Sequence, residues 1–482
     1  MSVINIDAKV EMWVLAADNL SVVAIKNLFF CYYYLSIVTL AQLKISSIMT
    51  KQQLERIYDL YLQSRKVTTD SRAITPGCLF FAFKGANFDG NAFVPQAVEQ
   101  GAAMCVTTNS SYAADSHCLV VKDVLAALQQ LASHHRSQLT IPVIGITGTN
   151  GKTTTKELVH AVLSRRYRTA ATQGNFNNHL GVPLTLLAIP ADAELAIVEM
   201  GANHPGEIAD LCAIARPTHG LITNVGRAHL EGFGSFEGVV QTKTALYRHL
   251  AATGGTAFVN ADSQRLMEEA GKLKLDRRSY GACEEAQLKG HLVSSDPYMK
   301  CYIEEGDNVY TIQSQLVGGY NFDNAMAAAA VGRYFRVDLW DVKEAIEQYV
   351  PANKRSQYKE TAHNTLLLDC YNANPSSMAV SLQNFVAMPR EHKVAILGGM
   401  RELGADSQRE HEAIVELLMA HSEIAAVLVG EEFAFAQGKP NVCWFPDSEA
   451  VAEHFSKHPL TGATVLLKGS NGTQMWKVEE SL

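Results

Sequence analysis

The chain has 482 residues, enough for about three domains of ordinary size. Its hydrophobic share of 47% is ordinary for a globular chain with full cores, and a formal net charge of −8 argues against a general nucleic-acid binder, which needs a basic face. The nine cysteines are scattered without a C-x-x-C pair, so neither a zinc site nor a disulfide framework is indicated, and a reducing cytoplasm fits best.

In chain order, residues 1–48 differ from the rest. "NLFFCYYYLSIVTLAQL" (Asn27 to Leu43) is apolar and aromatic but shorter than the roughly 20 residues that span a bilayer. Asp7, Glu11 and Asp18 precede it where a signal peptide carries basic residues, and no A-x-A site follows. The favoured expectation is an extension from a misassigned start, with Met49 as the true first residue. A membrane anchor and an extra packed helix are the alternatives.

From Lys51, "LERIYDLYLQ" reads as a helix, and short strands are expected at Cys78–Phe83 and Ala103–Val106 around a helix at Pro95–Gln100. "CLVVKDVLAALQQLASHHRSQL" adds a strand and an amphipathic helix, which closes a small α/β domain over 49–140. Over 141–350, apolar strands at Val143–Thr147, Leu195–Glu199, Leu221–Asn224 and Ala257–Asn260 alternate with helices. That alternation marks a mostly parallel sheet covered on both faces. "NFDNAMAAAAVGRYF" is alanine-rich and strongly helical. After "VPANKRSQ" a third series, 351–482, has strands at Leu366–Asp369, Val394–Leu397, Ala426–Val429, Val442–Phe445 and Val465–Leu467, a separate open α/β domain.

"PVIGITGTNGKTTTKEL" (Pro142 to Leu158) runs from strand through glycine loop to helix. A strict P-loop, G-x-x-x-x-G-K-[ST], would need glycine at position 146, where Ile146 stands; Gly145, Gly148 and Gly151 supply the turns instead. The physics survives. Backbone N–H groups of Gly148, Thr149, Asn150, Gly151, Lys152, Thr153 and Thr154 can close around phosphates, Lys152 can reach the β/γ oxygens, and Thr153 can hold Mg²⁺ at the helix N-terminus. The loop predicts ATP binding. Glu199, at the carboxyl end of a strand, suits Mg²⁺ because ligands gather there in open α/β sheets; a helix cap or solvated turn is the bland alternative. His229 lies in a glycine-rich loop, where an isolated histidine is more often structural.

Beyond this loop, a set of motifs resembles the Mur ligases. "GTNGKTTTKE" (Gly148 to Glu157) looks like that family's nucleotide loop, including the same departure from the strict P-loop. "GNFNNHLGVPLTLL" (Gly174 to Leu187), "EMGANHPGEIA" (Glu199 to Ala209), "AHLEGFGS" (Ala228 to Ser235), "DCYNANPSSM" (Asp369 to Met378), "ELGADSQREH" (Glu402 to His411) and "LLKGSNG" (Leu466 to Gly472) resemble the branch that adds D-alanyl-D-alanine to UDP-N-acetylmuramoyl tripeptide. The likeness runs from about Met49 to the C-terminus. It implies an α/β protein of three domains: a small α/β UDP-substrate domain, a central P-loop ATPase with a mostly parallel sheet, and a C-terminal Rossmann-like α/β domain. The implied activity is ATP-dependent amide ligation through an acyl phosphate, in the cytoplasm, by a monomer with no stable membrane association and no nucleic-acid partner.

The resemblance also implies roles for residues. Lys152, Glu199, His229 and Lys243 are the catalytic candidates. Thr153 and Glu199 would hold a first Mg²⁺; His229 and a carbamylated Lys243, in "VVQTKTALY", would hold a second. Asn321 and Asn324 match adenine-contacting positions, and Arg355 and Asp369 match residues that grip ATP on domain closure. Ser71, Arg72 and Lys84 fall near the UDP portion, with a solvated turn as alternative. Asn175, Asn177, Asn178 and His179 would face the peptide, and Asn372 and Asn374 would help seat D-Ala-D-Ala.

Three positions depart from the family pattern: Lys243-Thr244-Ala245 for Lys-Gly-Glu, Gly398-Gly399-Met400 for Gly-Asp-Met, and Asp89-Gly90-Asn91 for Asp-Gly-His. The first two remove acids near the cleft, so altered metal affinity or rate in a weakened paralogue is one alternative. A sister ligase adding the third residue usually carries Asp-Asn-Pro-Arg where "YNANPSSM" stands, which speaks against that reading. A folate polyglutamate ligase is a further relative. A non-catalytic nucleotide binder would show tight ATP binding without turnover.

Overall fold

The computed structural model describes residues 48–85, 88–351 and 355–482, and its strands fall into three sheets. The apolar segment Asn27 to Leu43 and the expected extension lie outside the described residues. Among the described residues, no helix is long and apolar enough to cross a membrane.

The first sheet is parallel, with β1 (Val67–Thr68), β2 (Leu79–Phe81), β3 (Met104–Thr107) and β4 (Cys118–Val120) in chain order. Helix α1 (Lys51–Ser64) starts on a capping box in which Thr50 and Gln53 exchange side-chain-to-backbone bonds. Asp123 caps α2 (Val124–Gln138) by accepting from the Ala126 N–H. The apolar face of α2 is not confined to its own sheet. Leu128 and Leu131 join one core with Val182, Leu186 and Ile208 of the next block, each burial contributing about 1.5–3 kcal/mol.

The second sheet has nine strands: β5 (Val143–Thr147), β6 (Thr169–Ala171), β7 (Leu195–Glu199), β8 (His219–Ile222), β9 (Thr256–Asn260), β10 (Asp276–Gly281), β11 (Leu288–Ser294), β12 (Tyr298–Glu305) and β13 (Asn308–Val317). Their order is β13-β12-β11-β10-β9-β8-β5-β7-β6, parallel from β6 through β11 and antiparallel across β11-β12-β13. The sequence reading extended strand–helix alternation through this wing and so missed it. The signal was there: β12 alternates buried and half-buried residues, and Gly306-Asp307 is a two-residue hairpin loop with Gly306 at φ +59°. Helix α3 (Lys152–Leu163) follows β5, and α4 (Asn321–Tyr334), whose alanines let it approach closely, packs against α3.

The third sheet runs β14-β15-β19-β16-β17-β18, with β14 (Gln357–Glu360) antiparallel at one edge beside β15 (Thr365–Asp369). The strands β16 (Lys393–Gly398), β17 (Ile424–Val429), β18 (Val442–Phe445) and β19 (Thr464–Lys468) are parallel to β15. The helix α5 (Pro375–Ala387) leaves the β15 end with Asn374 as its cap and proline at its first position, where no N–H is needed. The result is α/β throughout, with the carboxyl ends of β5, β7, β8 and β15 converging on one space.

Candidate active site

That space is a cavity of about 1470 Å³ lined from all three blocks. The phosphate loop forms one wall. Gly148 sits at φ +145°, and a Cβ there would lie 2.0 Å from Thr223 Oγ1; Gly151 sits at φ +77°, with Asn324 Oδ1 2.6 Å from the same virtual atom. Both positions require glycine for conformation and for space. Helix α3 opens on Gly151 without a side-chain cap, which leaves its first N–H groups directed at the cavity. Lys152 Nζ donates to the Gly148 carbonyl at 2.9 Å and the Thr149 carbonyl at 3.0 Å. Its enclosure pushes the ammonium pKa down, and the nearby Glu199 charge opposes that while Arg355 adds to it.

Beside the loop, Glu199 ends β7 almost wholly buried. Its Oε1 accepts from Asn177 Nδ2 at 2.8 Å and from Thr153 Oγ1 at 3.3 Å. Its Oε2 is buried and has no protein partner. A buried carboxylate oxygen costs several kcal/mol unless a donor or a cation meets it, which makes this atom the cation-ready point of the site.

Lys243 ends the helix Phe236–Lys243 and is 2% exposed. It makes no ion pair among the described residues; Nζ donates to the Ala202 carbonyl at 3.1 Å and lies 5.3 Å from the Phe233 ring centroid. Burial pushes its pKa well below the usual lysine value, the Lys152 charge adds to the drop, and Glu207 opposes it. His229, in the left-handed region at φ 50°, hydrogen-bonds through Nδ1 to the Glu402 carboxylate of the third block. Burial holds the imidazole below its ordinary pKa, with Glu402 pulling the other way.

The expected nucleotide residues Thr149, Asn150, Gly151, Lys152, Thr153, Thr154, Asn321, Asn324, Arg355 and Asp369 all line the cavity. Asn321 and Asn324 also serve as scaffold. Thr155 Oγ1 donates to Asn324 Oδ1 at 2.9 Å, Asn324 Nδ2 to Asn321 Oδ1 at 2.9 Å, and Asn321 Nδ2 to the Val317 carbonyl at 2.8 Å, a chain that ties α4 to α3. Asp369 pairs with Lys468, which is 1% exposed.

On the substrate side, Asn177, Asn178, His179 and Asn372 reach the cavity. Asn175 and Asn374 do not line it: Asn374 spends its amide on capping α5 and on Asn150 Oδ1 at 2.7 Å. Ser71, Arg72 and Lys84 are also elsewhere. Arg72 is exposed and paired with Asp70 at 2.7 Å, and Lys84 is paired with Asp89 at 3.7 Å.

Sequence reasoning missed four contributors. Glu402, which holds His229, sits in a quoted motif, but nothing in spacing ties it to a loop 173 residues away. Tyr371 lies under Arg355, Lys468 neutralises Asp369, and Gln129 of α2 reaches the His179 carbonyl at 3.0 Å. As for the departures, a side chain at Gly399 would meet Glu432 Oε2 at 2.5 Å, so a carboxylate already fills that place and pairs with Arg401 at 3.2 Å. Asn91 accepts from Thr107 Oγ1 at 2.5 Å, and Ala245 is buried in its helix.

Comparison with known proteins agrees with this fold. The family described as Mur ligase middle domain matches residues 146–332, Mur ligase, glutamate ligase domain matches 354–471, and Mur ligase family, catalytic domain matches 64–136. The chain is 34% identical over 432 residues to the UDP-N-acetylmuramoyl-tripeptide–D-alanyl-D-alanine ligase of Escherichia coli (strain K12), covering 86% of this chain and 93% of that protein. It is 32% identical over 427 residues to the ligase of the same name from Bacillus subtilis (strain 168), covering 86% and 92%. Among solved structures, MurF from Acinetobacter baumannii superposes with a TM-score of 0.79 at 30% identity, over 90% of this chain and 99% of that one. MurF ligase from Thermotoga maritima in complex with ADP superposes with a TM-score of 0.77 at 27% identity, over 87% and 97%. With a departed phosphate loop, three sheets meeting at one cavity and matches along most of its length, the chain belongs to the Mur ligase family.

Proposed function

We propose that this chain uses ATP to join D-alanyl-D-alanine to a UDP-N-acetylmuramoyl-tripeptide. The carrying observation is Glu199: one oxygen is fixed by Thr153 and Asn177, the other is buried without a partner, in a cavity that also receives Asn372 from the third block. That is an arrangement for polyphosphate and a divalent cation with an acceptor beside it.

The chemistry follows from what amide formation needs. Carboxylate and amine do not condense in water, because carboxylate oxygen is a poor leaving group. The tripeptide's terminal carboxylate oxygen attacks the γ-phosphorus of ATP, the bond to ADP breaks, and an acyl phosphate forms. The dipeptide amine then attacks the acyl carbon and loses a proton; the C–O bond breaks, and inorganic phosphate leaves with one former carboxylate oxygen. Lys152 and the α3 N–H groups hold the phosphates against the approaching carboxylate anion. Asn177, Asn178 and His179 face the peptide, and Asn372 the dipeptide. Arg355 and Asp369 close on the nucleotide from the third block, and Asn321 and Asn324 border the adenine.

The residues fit two Mg²⁺ ions, a cation that takes few protein ligands and keeps phosphate and water oxygens. Thr153 and the open oxygen of Glu199 would hold the first. His229, whose Nδ1 is occupied by Glu402 and whose Nε2 is therefore the available nitrogen, would hold the second with Lys243. Lys243 fits carbamylation: burial favours the neutral amine that adds to CO₂, and the product is an anion in a place without a carboxylate partner. Bound there, Mg²⁺ supplies charge neutralisation between carboxylate and γ-phosphate.

The reading divides the work among 49–140 for the UDP portion, 141–350 for ATP and 351–482 for the dipeptide. It sets the reaction in the cytoplasm, in a monomer without stable membrane association. The deciding experiment uses tripeptide labelled with ¹⁸O in its terminal carboxylate, with ATP, Mg²⁺ and D-Ala-D-Ala. One label per turnover is expected in released phosphate; unlabelled phosphate alongside product would overturn the acyl-phosphate route.

A further inference from the structure

We infer that Asn374 is a positioning residue through which the dipeptide-side block registers the phosphate loop, by its contact with Asn150. The inference rests on the ligase reading above but is carried by its own geometry. Asn374 is 6% exposed and its two amide atoms have separate tasks. Oδ1 accepts from the Ser377 N–H at 2.9 Å, and the Asn374 N–H donates to Ser377 Oγ at 3.1 Å, a complete capping box for α5. Serine would perform that capping equally well. What serine lacks is the remaining Nδ2, which donates to Asn150 Oδ1 at 2.7 Å across 224 residues of chain.

Asn150 is itself held hard. Its N–H donates to Asn224 Oδ1 at 2.9 Å, and its carbonyl accepts from Thr223 Oγ1 at 2.6 Å and Asn224 Nδ2 at 3.1 Å. The first turn of α5 meets the neighbouring loop as well: the Arg227 N–H donates to Ser376 Oγ at 2.8 Å, and Gly226 has no room for a Cβ against that hydroxyl. Any shift of the phosphate loop at Asn150 therefore bears on the start of α5, and two residues upstream of the cap stands Asn372, which lines the cavity. The bond is part-buried, and removing either side chain leaves the other amide group without this partner while the rest of both loops keeps its own hydrogen bonds. Nucleotide seating and dipeptide seating share one hinge point.

The test uses the full chain and three variants: Asn374→Ser, which keeps the cap and loses the reach, Asn150→Ala, and the double variant. Hydrogen exchange of residues 375–387 is followed on adding Mg²⁺ and a non-hydrolysable ATP analogue, and kcat and KM are measured for each substrate. The parent should gain protection in the first turn of α5, and either single variant should lose most of that gain. Ligation kcat should fall about tenfold in Asn374→Ser at unchanged melting temperature and unchanged KM for the UDP-linked substrate, and the double variant should be no slower than the slower single one. Equal protection in parent and Asn374→Ser, no protection in the parent, or single effects that multiply would each overturn the proposal. A parent that gains protection yet forms no ligated product would instead overturn the ligase reading and leave the coupling standing.

Discussion

The guanidinium carbon of Arg355 lies 3.6 Å from the centroid of the Tyr371 ring, with both residues on the cavity wall and Arg355 Nε buried without a partner. The ring holds a cation on the cavity wall, a contact worth about 1 kcal/mol. Tyr371→Leu is expected to raise KM for ATP roughly fivefold, by the conversion of that energy, and Tyr371→Phe to stay within about twofold of the parent. If the two variants behave alike, the stacking has no part in nucleotide binding.

Glu199→Gln separates stability from function. The amide keeps an acceptor for Asn177 and Thr153 while removing a buried charge whose second oxygen is unpartnered. The variant should melt at or above the parent temperature, need far more Mg²⁺ for half-maximal rate, and lose at least about a hundredfold in kcat, the scale of one electrostatic contact at a reacting phosphate. A lowered melting temperature with normal Mg²⁺ dependence would make Glu199 a structural acid.

For Lys243, the carbamate reading predicts that Lys243→Ala is inactive and recovers part of its ligation rate with added acetate or propionate. Carbon-13 NMR of the parent in ¹³C-bicarbonate should show a carbamate resonance that the variant lacks. Parent-level activity in the variant, or no rescue and no resonance, would leave Lys243 as a packed lysine.

Gly148 tolerates no side chain. An alanine there places Cβ 2.0 Å from Thr223 Oγ1 at a φ that L-residues avoid, so Gly148→Ala should cost about 3 kcal/mol in urea unfolding and abolish nucleotide binding by titration calorimetry. Retained affinity would show that the loop can rebuild around the methyl.

The protein should also lose stability in mild acid. Burial pushes His135 and His249 down to about 4, and both are nearly inaccessible. Above pH 6.5 folded and unfolded chains both carry them neutral, so there is no contribution. Between 6.5 and about 4 the unfolded chain takes up the protons and the folded one does not, so stability falls with pH across that window. The slope is at most roughly 1.4 kcal/mol per pH unit for each proton. His135→Phe, which removes the ring that meets Tyr58 Oη at 3.1 Å and Tyr61 Oη at 3.3 Å, should flatten the slope by about one proton whatever it does to absolute stability. Parallel slopes would place the acid sensitivity elsewhere.

Much of the molecule was legible in the chain. Val143–Thr147 and Leu195–Glu199 stand where continuous apolar runs predict strands, because a strand buried on both faces has no polar alternation to blur it. The phosphate loop was equally clear, since glycine, lysine and threonine at fixed offsets act through local backbone geometry. The antiparallel wing from Leu288 to Val317 was less so, because its half-exposed strands mix polar and apolar residues and were folded into the strand–helix pattern.

By itself, then, the sequence determined the α/β layering and the phosphate loop with Lys152 and Thr153, and its family resemblance nominated Glu199, His229 and Lys243 as site candidates. Tertiary structure alone decided that Glu402 holds His229, that Tyr371 carries Arg355, that Asn374 turns to Asn150, and that Ser71, Arg72, Lys84 and Asn175 stay off the main cavity. The division has one physical reason. Hydrophobic period and loop glycines act over a few residues, whereas hydrogen bonds and charges act over a few ångströms, and which distant residues come within that reach is fixed only when separate sheets pack against each other.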